Sequence, residues 1–104
     1  MALFGINSIK AVNKAKGMHF FDKDAMRFFN SRVQGDVFST PHGAVFVTSE
    51  RFDDNSARMY TTRHINEDTG HVSTLGSFQE FKSRSGALSA AKRRALNISA
   101  FDVE

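Results

Sequence analysis

Between residues 34 and 81 the chain repeats one pattern: short runs rich in Val, Phe, Tyr and Thr, separated by clusters of turn-forming residues. "DVFST" meets "AVFVTSERF" across "PHG", and "RMYTTRHI" meets "HVSTLGSFQEF" across "NEDTG". β-Branched and aromatic residues suit a pleated surface, whereas Pro41, Gly43 and Gly70 supply the restricted or left-handed backbone of tight reversals. Two such hairpins, joined through "DDNSA", predict four antiparallel strands within residues 36–81. In the third run Met59, Thr61, Arg63 and Ile65 share one face, and Tyr60, Thr62 and His64 share the other.

A sheet needs cover, and the flanking segments have helical periodicity. Residues 8–16, "SIKAVNKAK", put Ile9, Val12 and Ala15 on one stripe, with Ser8 or Asn7 as N-cap and Gly17 just past the end. Residues 22–32 form a second predicted helix. Asp22 caps it, Phe21 packs on Met26 as a hydrophobic staple, and Ala25, Met26, Phe29 and Val33 fall at helical spacing. Residues 84–97, capped by Ser83 or Ser85, set Ala87, Leu88, Ala91 and Ala95 on one stripe and leave 98–104 as a tail. A stripe of alanine lets a helix sit close on a sheet; Lys92 and Arg94 flank it and Arg93 faces away. The fold class that follows is α+β, with two N-terminal helices, a four-stranded antiparallel sheet and a C-terminal helix, the helices on one face of the sheet. At 104 residues the chain is sized for one domain, 1–104, around one core.

The doubled phenylalanines of "HFFDKDAMRFFNSR" divide into two kinds. Phe21 and Phe29 read as core. Phe20 and Phe28 point off that stripe, and burial against the sheet or the first helix is the favoured expectation, because small domains put most aromatic area inside. The alternative is that they wait on the surface for a partner.

Charge is distributed unevenly around a formal net +3. Residues 1–32 hold six Lys/Arg against two acids, residues 33–81 hold three Arg against seven acids, and residues 82–101 hold five Lys/Arg and no acid. Two basic helical regions thus bracket an acidic sheet, an asymmetry that bears on partners rather than on fold. Composition is otherwise that of an ordinary globular protein, 40% hydrophobic and 24% charged.

Several chemistries lack their residues. With no cysteine there is no disulfide and no thiolate metal site. The four histidines, 19, 42, 64 and 71, have no metal-ligand spacing, although His64 and His71 bracket one hairpin. Each glycine is isolated, so no phosphate-cradling loop is present, and no nucleophile-elbow pattern occurs. Asp53-Asp54 reads as a solvated turn. The sequence therefore predicts no enzyme, no cofactor and no metal. The N-terminus lacks the apolar run of a signal peptide, and no segment approaches the roughly 20 apolar residues of a membrane span, so the expected compartment is the cytoplasm, without membrane contact.

"PHGAVFVTSERF" and "SRSGALSAAKRRAL" resemble the loop-to-strand segment and terminal helix of the double-stranded-RNA-binding domain, a resemblance of topology, with Gly86-Ala87-Leu88 standing where that family has phosphate-binding lysines. More of the chain, "GMHFFDKDAMRFFNSRV", "VFVTSERF", "MYTTRHINEDTGHVSTLGSFQEF" and "SRSGALSAAKR", resembles a family of small uncharacterised proteins of bacteriophages and bacterial mobile elements. That resemblance implies a setting, a small accessory protein in the bacterial cytoplasm that binds nucleic acid or a host protein, and no catalytic residues.

The expected function is therefore non-enzymatic binding of a DNA or RNA backbone, with Lys10, Lys14, Arg27, Lys92, Arg93 and Arg94 contacting phosphates. The alternative is an inhibitor or adaptor that grips a bacterial host protein through Phe20 and Phe28 with an arginine rim. A homodimer through a sheet edge is compatible with either.

Overall fold

The computed structural model describes residues 5–18, 20–21, 32–51 and 57–102. The first helix, α1 (Ile6–Ala15), begins two residues earlier than expected, with Gly5 rather than a Ser or Asn side chain at its N-cap. It ends as its sequence requires. Gly17 takes φ +75°, and the amides of Lys16, Gly17 and Met18 close back on the carbonyls of Val12, Lys14 and Asn13. The helix expected over 22–32 lies outside the described residues except for its last position, and Arg32 is already in a strand.

The sheet is a meander of β1 (Arg32–Thr40), β2 (Gly43–Glu50), β3 (Met59–Asn66) and β4 (Val72–Leu75), all antiparallel in the order β1-β2-β3-β4. It starts four residues before the expected boundary, and Phe81 extends it by one further pairing with Tyr60. The β1–β2 register slips between Gln34 and Phe38, which pair with Val47 and Val45. Gly35 sits in that irregularity at φ +71°, where an added Cβ would lie 2.7 Å from a Leu88 methyl. Glycine therefore serves twice there, for the left-handed backbone and for the close approach of the last helix. In the β3–β4 turn the Asn66 side chain accepts the amides of Asp68 and Thr69, and Gly70 closes the loop at φ +72°.

Helices cover both faces of this sheet, not one. Ile9 of α1 packs with Ala44, Phe46 and Ile65, joined by Phe20, Phe21, Val33, Val37 and Val72. On the opposite face Val45 and Val47 meet Ala87, Ala91 and Ala95 of α2 (Arg84–Asp102), with Phe38, Tyr60, Leu75, Phe81, Leu88 and Ile98 around them. The physical reason lies in β2, whose eight residues are all buried, as befits a strand with packing partners above and below. Ser83 caps α2 by accepting the Gly86 amide on its hydroxyl, and the helix runs to Asp102, through most of the segment expected as a tail.

One buried polar side chain ties α1 to the sheet. Asn13, 2% exposed, donates its amide to the Gly70 carbonyl at 2.8 Å and accepts the Phe20 amide at 3.1 Å. Both of its ends are satisfied away from water, so it fixes α1 against the β3–β4 turn rather than weakening the core.

Candidate nucleic-acid interface

The basic residues singled out from the sequence fall in separate places. Lys10 and Lys14 are exposed, one turn apart on α1, while Lys92 and Arg93 are exposed on α2. Because α1 and α2 lie on opposite faces of the sheet, the two pairs form two patches rather than one stripe. Arg27 and Phe28 lie outside the described residues.

Arg94 does not point with its neighbours. Its Nη2 pairs with the Glu80 carboxylate at 2.9 Å, its Nη1 donates to the Leu75 carbonyl at 3.1 Å and to the Thr62 hydroxyl, and its guanidinium lies 5.4 Å from the centre of the Phe81 ring. The Arg94 hydrogen bond, followed by one from the Ser77 amide, holds the Glu80 carboxyl below its ordinary range. Arg94 thus fastens α2 to the turn after β4 and is a part of the fold. Phe20 is likewise engaged: its ring meets Phe21 edge-on at 4.9 Å and Phe46 at 6.2 Å, which packs it, partly buried, against the core on the α1 side.

A third basic group was not singled out from the sequence. Arg58 donates to the hydroxyl and carbonyl of Ser49 at 2.8 and 3.1 Å, and Arg32 opposes Ser49 across the β1–β2 ladder. Burial chiefly, then the positive charges of Arg32 and Arg51, lower the pKa of Arg58. The three arginines come from separate parts of the chain, and only strand register brings them to one end of the sheet.

The most polar feature of the α1-side face is a charged pair. Glu50, fully buried, lies 3.2 Å from Arg63. Oε2 accepts the Thr61 hydroxyl at 2.9 Å, and Oε1 accepts the Thr48 hydroxyl as well as Arg63. Arg63 also reaches Thr48 through Nε and Thr74 through Nη1, and its guanidinium lies over the rings of Phe20 and Phe78, 5.2 and 5.6 Å from their centres. Period-2 alternation places Thr48, Glu50, Thr61, Arg63 and Thr74 on one face, but nothing in the sequence says that they satisfy one another. With both carboxylate oxygens occupied from within, the cluster has the form of a structural lock.

His64 turns its Nε2 toward the Thr40 hydroxyl at 3.4 Å. Among the described residues no three His, Asp or Glu side chains converge on a point that would hold a metal, and no helix is long and apolar enough to cross a membrane.

Residues 5–92 match a family of unknown function, DUF7447. The chain belongs to this family. The match takes in α1, the whole sheet and the first half of α2, so the layered arrangement and the Glu50–Arg63 pair fall within the family's span. No curated protein and no solved structure matches the chain.

Proposed function

We propose that the protein is a non-enzymatic accessory protein of a bacteriophage or mobile element, acting in the bacterial cytoplasm by binding the backbone of a nucleic acid through α2. The observation that carries this reading is the division of labour along α2. Its alanine face is buried on the sheet, Arg94 is consumed by Glu80, and the basic side chains Lys92 and Arg93 face water in a segment, 82–101, that contains no acid. Lys82 and Arg84, also exposed, extend the patch from the start of the helix. An acid-free basic helix face neutralises phosphates without reading sequence. Lys10 and Lys14 form a separate, weaker patch on the other side of the molecule.

The competing class is an inhibitor or adaptor acting on a host protein; Phe20, partly buried against the core, offers it only part of a ring. It is favoured by Leu96, which is 63% exposed on α2 beside the basic residues. An electrophoretic mobility shift with single- and double-stranded DNA and RNA, at about 50 and 200 mM salt, separates the two classes. We expect binding that weakens steeply with salt. In a Lys92→Ala/Arg93→Ala variant the log–log salt slope should shrink by roughly 1.4–1.8, the loss of two phosphate contacts. Absence of a shift at either salt overturns the proposal and turns attention to the surface around Leu96.

A further inference from the structure

Between the end of β4 and α2 lies a notch of about 290 Å³, lined by Leu75, Gly76, Arg94, Asn97 and Ile98. It is on the α2 side of the sheet, since Leu75 and Ile98 also pack against the apolar cluster beneath that helix. The turn that follows Gly76 is fixed by its own contacts. Gln79 adopts φ +57°, a left-handed backbone that a non-glycine residue keeps only where its surroundings impose it. Its amide donates to the Thr61 hydroxyl at 2.8 Å, the Ser77 amide donates to the Glu80 carboxylate at 3.1 Å, and Glu80 pairs with Arg94. A notch with preset walls loses little freedom when it is filled.

The lining suits a flat heterocycle. Leu75 and Ile98 supply apolar surface. The terminal N–H groups of Arg94 are directed to Glu80, the Leu75 carbonyl and the Thr62 hydroxyl, all in the plane of the guanidinium. With Phe81 backing it and 29% of the side chain exposed, what Arg94 still offers a ligand is a face, a surface on which unpaired bases stack. Asn97 is exposed, and its amide sets a donor beside an acceptor, the pattern that pairs with the edge of a base. The volume lies at the bottom of the roughly 300–1,000 Å³ range of small-molecule pockets, room for one base rather than for a larger cofactor.

The charges beside the notch select the same occupant. Arg93, exposed, precedes Asn97 by four residues, about 6 Å along the helix, a span comparable to that between the phosphate and the base of one nucleotide. The Glu80 carboxylate is neutralised by Arg94 and the Ser77 amide, so it does not oppose a phosphate there.

We infer that this notch holds one unpaired base, with Asn97 contacting its edge and Arg93 its phosphate, and that the ligand carried along α2 is single-stranded nucleic acid. The inference rests on the backbone-binding reading and sharpens it. Phosphates on basic side chains give affinity to any strand, but a base can enter the notch only when it is not stacked and paired in a duplex.

Fluorescence anisotropy at about 50 mM salt tests it with three 12-mer probes: an unstructured single strand carrying all four bases, its duplex, and an abasic deoxyribose-phosphate strand with the charge of the single strand. We expect the base-bearing strand to bind at least about 5-fold more tightly than the abasic one. Asn97→Leu keeps the size of the side chain and removes its amide. It should weaken binding of the base-bearing strand by about 2- to 10-fold, leave the abasic strand and the duplex within about twofold, and keep the thermal midpoint, because Asn97 is exposed. Arg93→Ala should weaken all three probes. Equal affinity for the base-bearing and abasic strands, or a base-dependent affinity that Asn97→Leu leaves unchanged, overturns the notch as a base site and leaves the backbone reading standing. Failure of the wild-type protein to bind any of the three probes removes both.

Discussion

Replacing Arg63 with methionine should cost the fold about 3–5 kcal/mol, far more than its partly exposed position suggests. Glu50 is fully buried and Arg63 has only 13% of its side chain exposed, with 3.2 Å between the charges. Methionine matches the arginine stem in length and packs well against rings, so contacts with Phe20 and Phe78 largely survive and the charge is what is lost. The Glu50 carboxylate then keeps only the hydroxyls of Thr48 and Thr61. Two magnitudes compete. An exposed ion pair is worth about 0–1 kcal/mol, whereas removing one member of a buried pair strands the other without water and costs about 3–5. Complete burial of Glu50 selects the second. For a domain of this size each kcal/mol moves the thermal midpoint by about 4–8 °C, so the loss should be at least roughly 12 °C. Urea unfolding followed by far-ultraviolet circular dichroism measures it. Glu50→Gln added to Arg63→Met should recover much of the loss, because an amide can bond both threonines without carrying a charge. A loss below about 1 kcal/mol in Arg63→Met, or a double variant no more stable than the single one, refutes the lock.

Two further outcomes test the joints around the sheet. Gly35→Ala should lose more than about 1 kcal/mol, since the position combines φ +71° with a 2.7 Å approach to Leu88; combined with Leu88→Ala, the pair should cost less than the sum of the single losses in urea unfolding. The Glu80 carboxyl is depressed in the folded state, so its contribution to stability is present above the unfolded carboxyl pKa and is lost as pH falls through the folded value. In Arg94→Gln its midpoint, followed by carboxyl carbon nuclear magnetic resonance, should rise toward the ordinary value of about 4.3, and the stability gap from wild type should narrow in acid; an unmoved midpoint would show that Arg94 is not the cause.

The strands are legible in the sequence because period-2 alternation and turn residues are local signals. "PHG" and "NEDTG" fall at the two hairpin turns, and Met59, Thr61, Arg63 and Ile65 do share a face. Which faces are covered is also written there, in a less obvious place. "GAVFV" has no polar residue at either parity, as expected of a strand packed on both sides, whereas Arg63 and His64 give β3 a mixed pattern. The helix boundaries were harder. Gly5, not Ser8 or Asn7, sits at the start of α1, so the local capping preference is overridden there. α2 continues through Ile98, which packs on the same face as Ala91 and Ala95. Asn13 shows a real limit: a polar residue at a helical position carries no mark of the carbonyl of Gly70, 57 residues away, that makes it a buried strut.

The candidate site divides in the same way. A count of charge gives its sign along the chain but not its side, and five basic residues in 82–101 suggest more surface charge than the fold delivers. Helical phase does not resolve the difference. Arg94 and Lys92 both flank the alanine stripe, and spacing alone treats them alike; in the fold Arg94 turns to Glu80 and the Leu75 carbonyl, whereas Lys92 and Arg93 reach water. The partner that accepts Arg94 is not readable, because Glu80 reaches it only through a turn whose left-handed residue, Gln79, has no sequence signal for that backbone. The exposure of Phe78 depends on the same turn. Long-range pairing thus decides which cations remain for a ligand: Arg94 is withdrawn while Lys82, Arg84, Lys92 and Arg93 stay exposed, so the salt slope of binding, which counts released counterions, should report at most four contacts from this segment rather than the five that composition suggests.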